Sequence, residues 1–127
     1  GAMVPGAPMD DAPVGVDGKK AWLLDQTGNR FQLLYFTDVA ERLGGKLDEL
    51  RGLSMDPVPV EPVVVSEKAG AAAGVRVLHD LQHLVARRYD AREGSVYLVR
   101  PDQHVVARWR KFDAHKIRAA VARATCN

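Results

Sequence analysis

Cysteine is nearly absent from this sequence: Cys126 is the only one in 127 residues. A lone thiol has no partner in the chain, which excludes a disulfide-stapled scaffold. Apolar runs stay short, as in Val63-Val64-Val65, and none approaches the ~20 residues that a membrane-spanning helix needs. No basic segment followed by an apolar one opens the chain, so no secretory leader is expected and a reducing, cytoplasmic setting follows. Glycine patterns are equally bare. There is no G-x-G-x-x-G after a strand and no G-x-x-x-x-G-K-[ST], so the chain brings no nucleotide cradle of its own.

What is present is a sequence 46% apolar and 27% charged, long enough for one domain to bury roughly two thirds of its unfolded surface. Net charge is only +2, yet it is unevenly spread. Residues 1–80 carry 8 Lys/Arg against 12 Asp/Glu, and residues 81–127 carry 10 against 4. The basic half interleaves Arg87, Arg88, Arg92, Arg100, Arg108, Arg110 and Arg123 with Tyr89 and Trp109. Arginines near aromatic rings suit phosphates and stacked bases, but they equally suit ion pairs within a domain or between domains. The near-neutral total argues against nucleic acid as the partner.

Residues 1–18 read as the remnant of a cleaved tag, Gly1-Ala2-Met3, followed by a linker rich in Pro, Gly and Asp; residues 19–127 read as the folded domain. Ala21-Trp22-Leu23-Leu24 and Phe31 to Phe36 are strand-length apolar runs across a turn-rich connector, which predicts a hairpin whose second strand is apolar on both faces. Asp38 with Glu41 forms a capping-box pattern ahead of Val39, Leu43, Leu47 and Leu50, and Gly44-Gly45 predicts a break in that helix. Val58 to Val65 is β-branched but carries Pro59 and Pro62 and follows Pro57, which predicts an edge-like, partly paired strand. Ala69 to Gly74 is a small-residue loop, and Leu78, Leu81, Leu84, Val85 and Arg88 fit one helix. Ser95 to Arg100 and Val105 to Arg110 predict a second hairpin turning at Pro101, and Asp113 caps a closing helix with Ile117, Ala120, Val121 and Ala124 as its stripe. The expected order is β-β-α-β-α-β-β-α, an α/β domain with a central mixed sheet and helices on both faces.

His79 and His83 lie four apart on the predicted helix and resemble a zinc-protease spacing, but Asp80 stands where a general-base Glu would be and no third ligand is marked. No Ser or Cys occupies a Gly-flanked strand-to-helix turn. Catalytic, cofactor and metal residues are therefore not assigned within this chain.

The second hairpin is not generic. Tyr97-Leu98-Val99-Arg100-Pro101-Asp102-Gln103-His104-Val105-Val106-Ala107-Arg108-Trp109-Arg110 closely resembles a signature near the C-terminus of FAD-dependent aromatic-ring hydroxylases, the phenol hydroxylase and 3-(3-hydroxyphenyl)propionate hydroxylase group. Arg88-Tyr89-Asp90-Ala91 with Gly94, Trp22-Leu23-Leu24-Asp25 with Gly28, and Phe31-Gln32-Leu33-Leu34 extend the resemblance, and Val4 to Pro8 with Asp11-Ala12-Pro13 is similar to the junction that precedes the tail of such enzymes. The resemblance implies a thioredoxin-like C-terminal domain acting as a non-catalytic structural and association module. Its parent chain would use FAD and NAD(P)H to hydroxylate a phenolic substrate, with all cofactor contacts upstream. The implied partners are the catalytic domain of the same polypeptide and, for a dimeric parent, a second subunit.

A redox-active thioredoxin carries C-x-x-C where its first core strand meets a helix. Thr37-Asp38-Val39-Ala40 stands there instead, and no proline precedes Ser95-Val96. Disulfide exchange is excluded on chemical grounds. Arg100, Asp102, His104, Arg108 and Trp109 are the candidates for an interdomain or subunit interface, since Arg and Trp are common interface anchors. A stand-alone module binding a ligand or nucleic acid through the basic half is the competing reading.

Overall fold

Alternation in the apolar runs decides which residues face which layer. A computed structural model describes residues 3–126; Gly1 and Ala2 of the expected tag remnant lie outside the described residues. Seven strands are present: β1 (Pro13–Val16), β2 (Lys19–Trp22), β3 (Phe31–Thr37), β4 (Val60–Ser66), β5 (Arg76–His79), β6 (Val96–Val99) and β7 (Val105–Trp109). The helices are α1 (Lys46–Leu53), α2 (Leu84–Arg88) and α3 (Ala114–Thr125), with 3-10 turns at Leu23–Gln26 and Ala40–Arg42. The strands form one sheet in the order β2-β1-β5-β4-β3-β6-β7, with β4 parallel to β3 and β5 and the remaining pairs antiparallel.

The expected architecture is present. In β3, Leu33 and Tyr35 join Val64, Leu98, Leu50, Leu53 and Ile117 under α1 and α3, while Leu34 and Phe36 join Val63, Val65, Tyr97, Val85 and Tyr89 under α2. Burying each of these side chains contributes about 1.5–3 kcal/mol, so both faces of the sheet carry a core. On the α2 face, Tyr89 meets Tyr97 edge-on at 5.2 Å, and Phe36 lies 6.1–6.2 Å from both rings.

Two strands exceed the expected order, β1 and β5, and each corrects a local expectation. Pro13–Val16 lies in the stretch read as linker, but Asp17 and Gly18 both take positive φ, the requirement of a tight two-residue hairpin, and pair β1 with β2. The predicted pairing of residues 21–24 with 31–36 is therefore not formed: β2 turns back on β1, Leu23–Gln26 coils, and three strands separate β2 from β3. Leu78 and His79 belong to β5 rather than to a helix that runs to Arg88. The buried Asp80 carboxylate accepts from the Val85 and Ala86 amides at 3.1 and 2.9 Å, so α2 begins only at Leu84.

β4 is central, not edge-like: it pairs with β3 along its whole length and with β5 from Val63 on. Pro62 falls where β4 has a neighbour on one side only, so its missing amide is tolerated. The break at Gly44 (φ +58) is present, but the capping box is not. The Glu41 carboxylate instead accepts from the Ala71 amide at 2.8 Å, holding the small-residue loop.

Candidate interdomain and subunit interface

The β6–β7 hairpin is a turn built to a strict backbone recipe. Arg100 donates its amide to the His104 carbonyl at 2.8 Å, the Gln103 amide donates to the Arg100 carbonyl at 2.9 Å, and Gln103 then adopts φ +65. Pro101 at the second turn position and a left-handed residue at the end describe a type I turn closed by a bulge. Glycine or asparagine is the usual occupant of that last position.

Gln103 stays there because its side chain is anchored. Its amide nitrogen donates to the Leu24 carbonyl at 2.7 Å, the Thr27 carbonyl at 3.2 Å and the Thr27 hydroxyl at 2.9 Å. The hairpin tip is thereby fastened to the turn after β2. Sequence reasoning passed over this residue; the signal was a glutamine at a place where the turn type asks for glycine.

The five candidate residues separate into two groups. Arg100, Asp102 and His104 sit together at the tip. The Arg100 guanidinium grips the Asp102 carboxylate bidentately at 2.9 and 3.1 Å, and His104 Nδ1 lies 3.3 Å from the same carboxylate. The hydrogen bonds from Arg100, with its charge and that of His104 beside it, hold the Asp102 carboxyl below its usual range. Arg108 and Trp109 stand at the far end of β7 on opposite faces: Arg108 donates to the Tyr97 hydroxyl at 3.1 Å, and half-buried Trp109 packs on the α1/α3 core. Both line a notch of about 220 Å³ with Asp90, Ser95, Tyr97 and Arg110.

Part of the basic half is engaged within the chain. Arg88 reaches the Asp11 carbonyl, Arg110 lies 3.5 Å from the Asp90 carboxylate and Arg118 2.7 Å from that of Asp56. These pairings hold three of the arginines to partners within the chain. The histidine pair is also corrected. His79 ends β5 opposite Gly15, and His83 takes a left-handed conformation ahead of α2 with its Nδ1 3.9 Å from the Glu67 carboxylate, so the two do not share the helical face expected of them. Among the described residues, no cluster of three or more His, Cys, Asp or Glu could hold a metal ion.

At the end of β3 the Asp38 amide donates to the Glu93 carboxylate at 2.7 Å, and the Phe36 carbonyl accepts from Gly94 at 2.8 Å. The surrounding cleft of about 150 Å³ is lined by Asp38, Glu67, Asp80 and Glu93 together with His83 and Arg92. Cys126 lies exposed after α3.

A mixed sheet flanked by helices on both faces, with a parallel β3–β4 unit followed by the β6–β7 hairpin and a closing helix, defines a thioredoxin-like domain. A thiol peroxidase from Chromobacterium violaceum shares this fold, with a TM-score of 0.74 at 15% identity over 97% of this chain and 90% of that one. The chain belongs to the family described as the HcaD C-terminal domain, whose model matches residues 11–124. Two flavoenzymes are similar over one part of their length. The flavin-dependent monooxygenase PieE, solved with FAD and substrate, is 30% identical with a TM-score of 0.70, covering 94% of this chain and 19% of PieE. Aklavinone-11 hydroxylase, solved with FAD and aklavinone, is 22% identical with a TM-score of 0.70, covering 98% of this chain and 22% of the enzyme. The chain thus spans about a fifth of the length of these two. No curated protein matches. No helix among the described residues is long and apolar enough to cross a membrane.

Proposed function

We propose that this chain is the non-catalytic C-terminal structural and association domain of a FAD-dependent, NAD(P)H-using monooxygenase that hydroxylates an aromatic substrate. The observation that carries the reading is the family match over residues 11–124, together with similarity to about a fifth of two flavin hydroxylases. FAD, NAD(P)H and the aromatic substrate would bind upstream residues. The chain's own chemistry agrees: the junction where a thioredoxin keeps its thiols is occupied by Thr37 and Asp38, with the Asp38 amide tied to Glu93. A cytoplasmic setting comes with the reading, because reduced nicotinamide cofactors are supplied there.

Arg100, Asp102, His104, Arg108 and Trp109 form the proposed contact with the upstream catalytic domain or a second subunit. The test compares the full polypeptide with a version ending before Val4. The full polypeptide retains FAD through gel filtration and oxidises NAD(P)H on addition of a phenolic substrate. The shortened form keeps its flavin and changes in subunit association or stability. The 127-residue chain alone neither retains FAD nor oxidises NAD(P)H. Stoichiometric flavin on the isolated chain would overturn the reading.

A further inference from the structure

Residues 4–11 are held in place by the very motifs that the hydroxylase resemblance rests on. Gly6 donates its amide to the Val105 carbonyl at 2.7 Å, Val105 donates back to the Ala7 carbonyl at 2.9 Å, and Met9 donates to the Gln103 carbonyl at 2.9 Å. Pro8 faces His104 across this short antiparallel pairing. Further along, the hydroxyl of the fully buried Tyr89 donates to the Asp10 carbonyl at 2.7 Å, and the Arg88 guanidinium donates to the Asp11 carbonyl. The Asp11 carboxylate accepts from the Leu24 amide at 3.0 Å, and Met9, 6% exposed, enters the α2-side core. A tether free to swing would share none of these partners.

We infer that Gln103–Val105 leading into β7, Arg88 at the end of α2 with Tyr89 after it, and the Leu24 amide together form a binding site for an extended peptide, filled in cis by residues 4–11. Recognition is strand addition: backbone groups of the peptide complete an exposed sheet edge while one side chain enters a pocket. The site asks its ligand for amide donors three residues apart, an apolar side chain at the second of them, and a carboxylate two residues later. Gly6, Met9 and Asp11 meet these demands in order. The positive φ of Gln103 has a purpose here, because it belongs to the bulge whose carbonyl receives the Met9 amide.

A consequence follows that rests on the monooxygenase reading: the polypeptide arriving from the catalytic domain is fixed at the β7 edge. The peptide site itself does not depend on that reading, and its test involves no flavin.

The test uses the 127-residue chain with two independent measurements. Opposed residues in a non-hydrogen-bonded antiparallel pair stand about 4.5 Å apart at Cα, within disulfide range. Pro8→Cys with His104→Cys, in a Cys126→Ser background, is expected to lose both free thiols on mild oxidation while remaining monomeric. In the unmodified chain the Gly6 and Met9 amides are expected to be protected from hydrogen exchange. Tyr89→Phe, which removes one hydroxyl and keeps the ring, is expected to speed their exchange on the order of fivefold, as loss of one net hydrogen bond does, without changing the amides of β3. Thiols that stay free, or a Met9 amide exchanging at the unprotected rate, would overturn the assignment.

Discussion

Removing the side chain of Gln103 tests whether the hairpin tip is held by its own turn or by the contact beyond it. The side chain makes one short bond to the Leu24 carbonyl at 2.7 Å and shares its nitrogen with Thr27 at 2.9 and 3.2 Å. Each net hydrogen bond is worth about 1 kcal/mol, and because Leu24 and Thr27 are half-buried, water replaces part of the loss. Gln103→Ala is therefore expected to cost about 1–2 kcal/mol. Alanine keeps the left-handed penalty of about 1 kcal/mol that glycine does not pay, so Gln103→Gly is expected to cost about 1 kcal/mol less than the alanine variant. Urea unfolding reads both, as a midpoint lowered by about 1 M for alanine at the m-value of a chain this size. A loss below about 0.5 kcal/mol for alanine, the size of an ordinary surface change, would refute the reasoning. So would a glycine variant less stable than the alanine one.

Three further outcomes follow from the same contacts. Burial works to raise the Glu61 carboxyl, but hydrogen bonds from Arg76 and Gln32 and the charges of Arg76 and Arg30 hold it below its usual range. A depressed folded value means stability that is present above about pH 4.3 and lost as pH falls through the folded value, so the advantage over Glu61→Gln shrinks only below about pH 4.3. With the Arg76 side chain 40% exposed, that advantage is about 1 kcal/mol, measurable by thermal melts across pH. Leu34→Ala, fully buried between α2 and the sheet, is expected to lose about 2–5 kcal/mol in denaturant unfolding. Arg100→Ala is expected to move the Asp102 carboxyl titration upward, followed by carboxyl-resonance NMR, because it removes the largest cause of its lowered value.

The layers were legible where periodicity was strong. β3 is apolar on both faces from Leu33 to Phe36, and α3 carries its cap at Asp113, whose carboxylate accepts from the Lys116 amide at 3.1 Å. The misread parts share a cause: partners distant in sequence outweighed the local pattern. Leu78 looks helical beside Leu81 and Leu84, yet parallel pairing with β4 claims it for a strand. The Asp17-Gly18 pair in the supposed linker was a visible hairpin signal, outweighed by the prolines and glycines around it. Of the candidate interface, the sequence named five residues, but it could not show that they divide between the tip and the far end of β7. Register there shifts at the bulge between Leu98 and Val99, which periodicity does not reveal.

That division bears on where a partner would gain most. At the tip, Arg100 is already paired with Asp102, so a partner carboxylate would have to displace a carboxylate to reach it. Exposed pairs of this kind contribute little to stability, which leaves orientation of the turn as their main effect. Arg108 differs: its hydrogen bond goes to the neutral Tyr97 hydroxyl, and among the described residues it has no carboxylate within ion-pair distance. A guanidinium without a counter-charge, beside a half-buried tryptophan and a notch of about 220 Å³, gains an ion pair on association without first losing one. In the interface we propose, the attraction therefore concentrates at Arg108 and Trp109, while Arg100, Asp102 and His104 shape the edge along which residues 4–11 run.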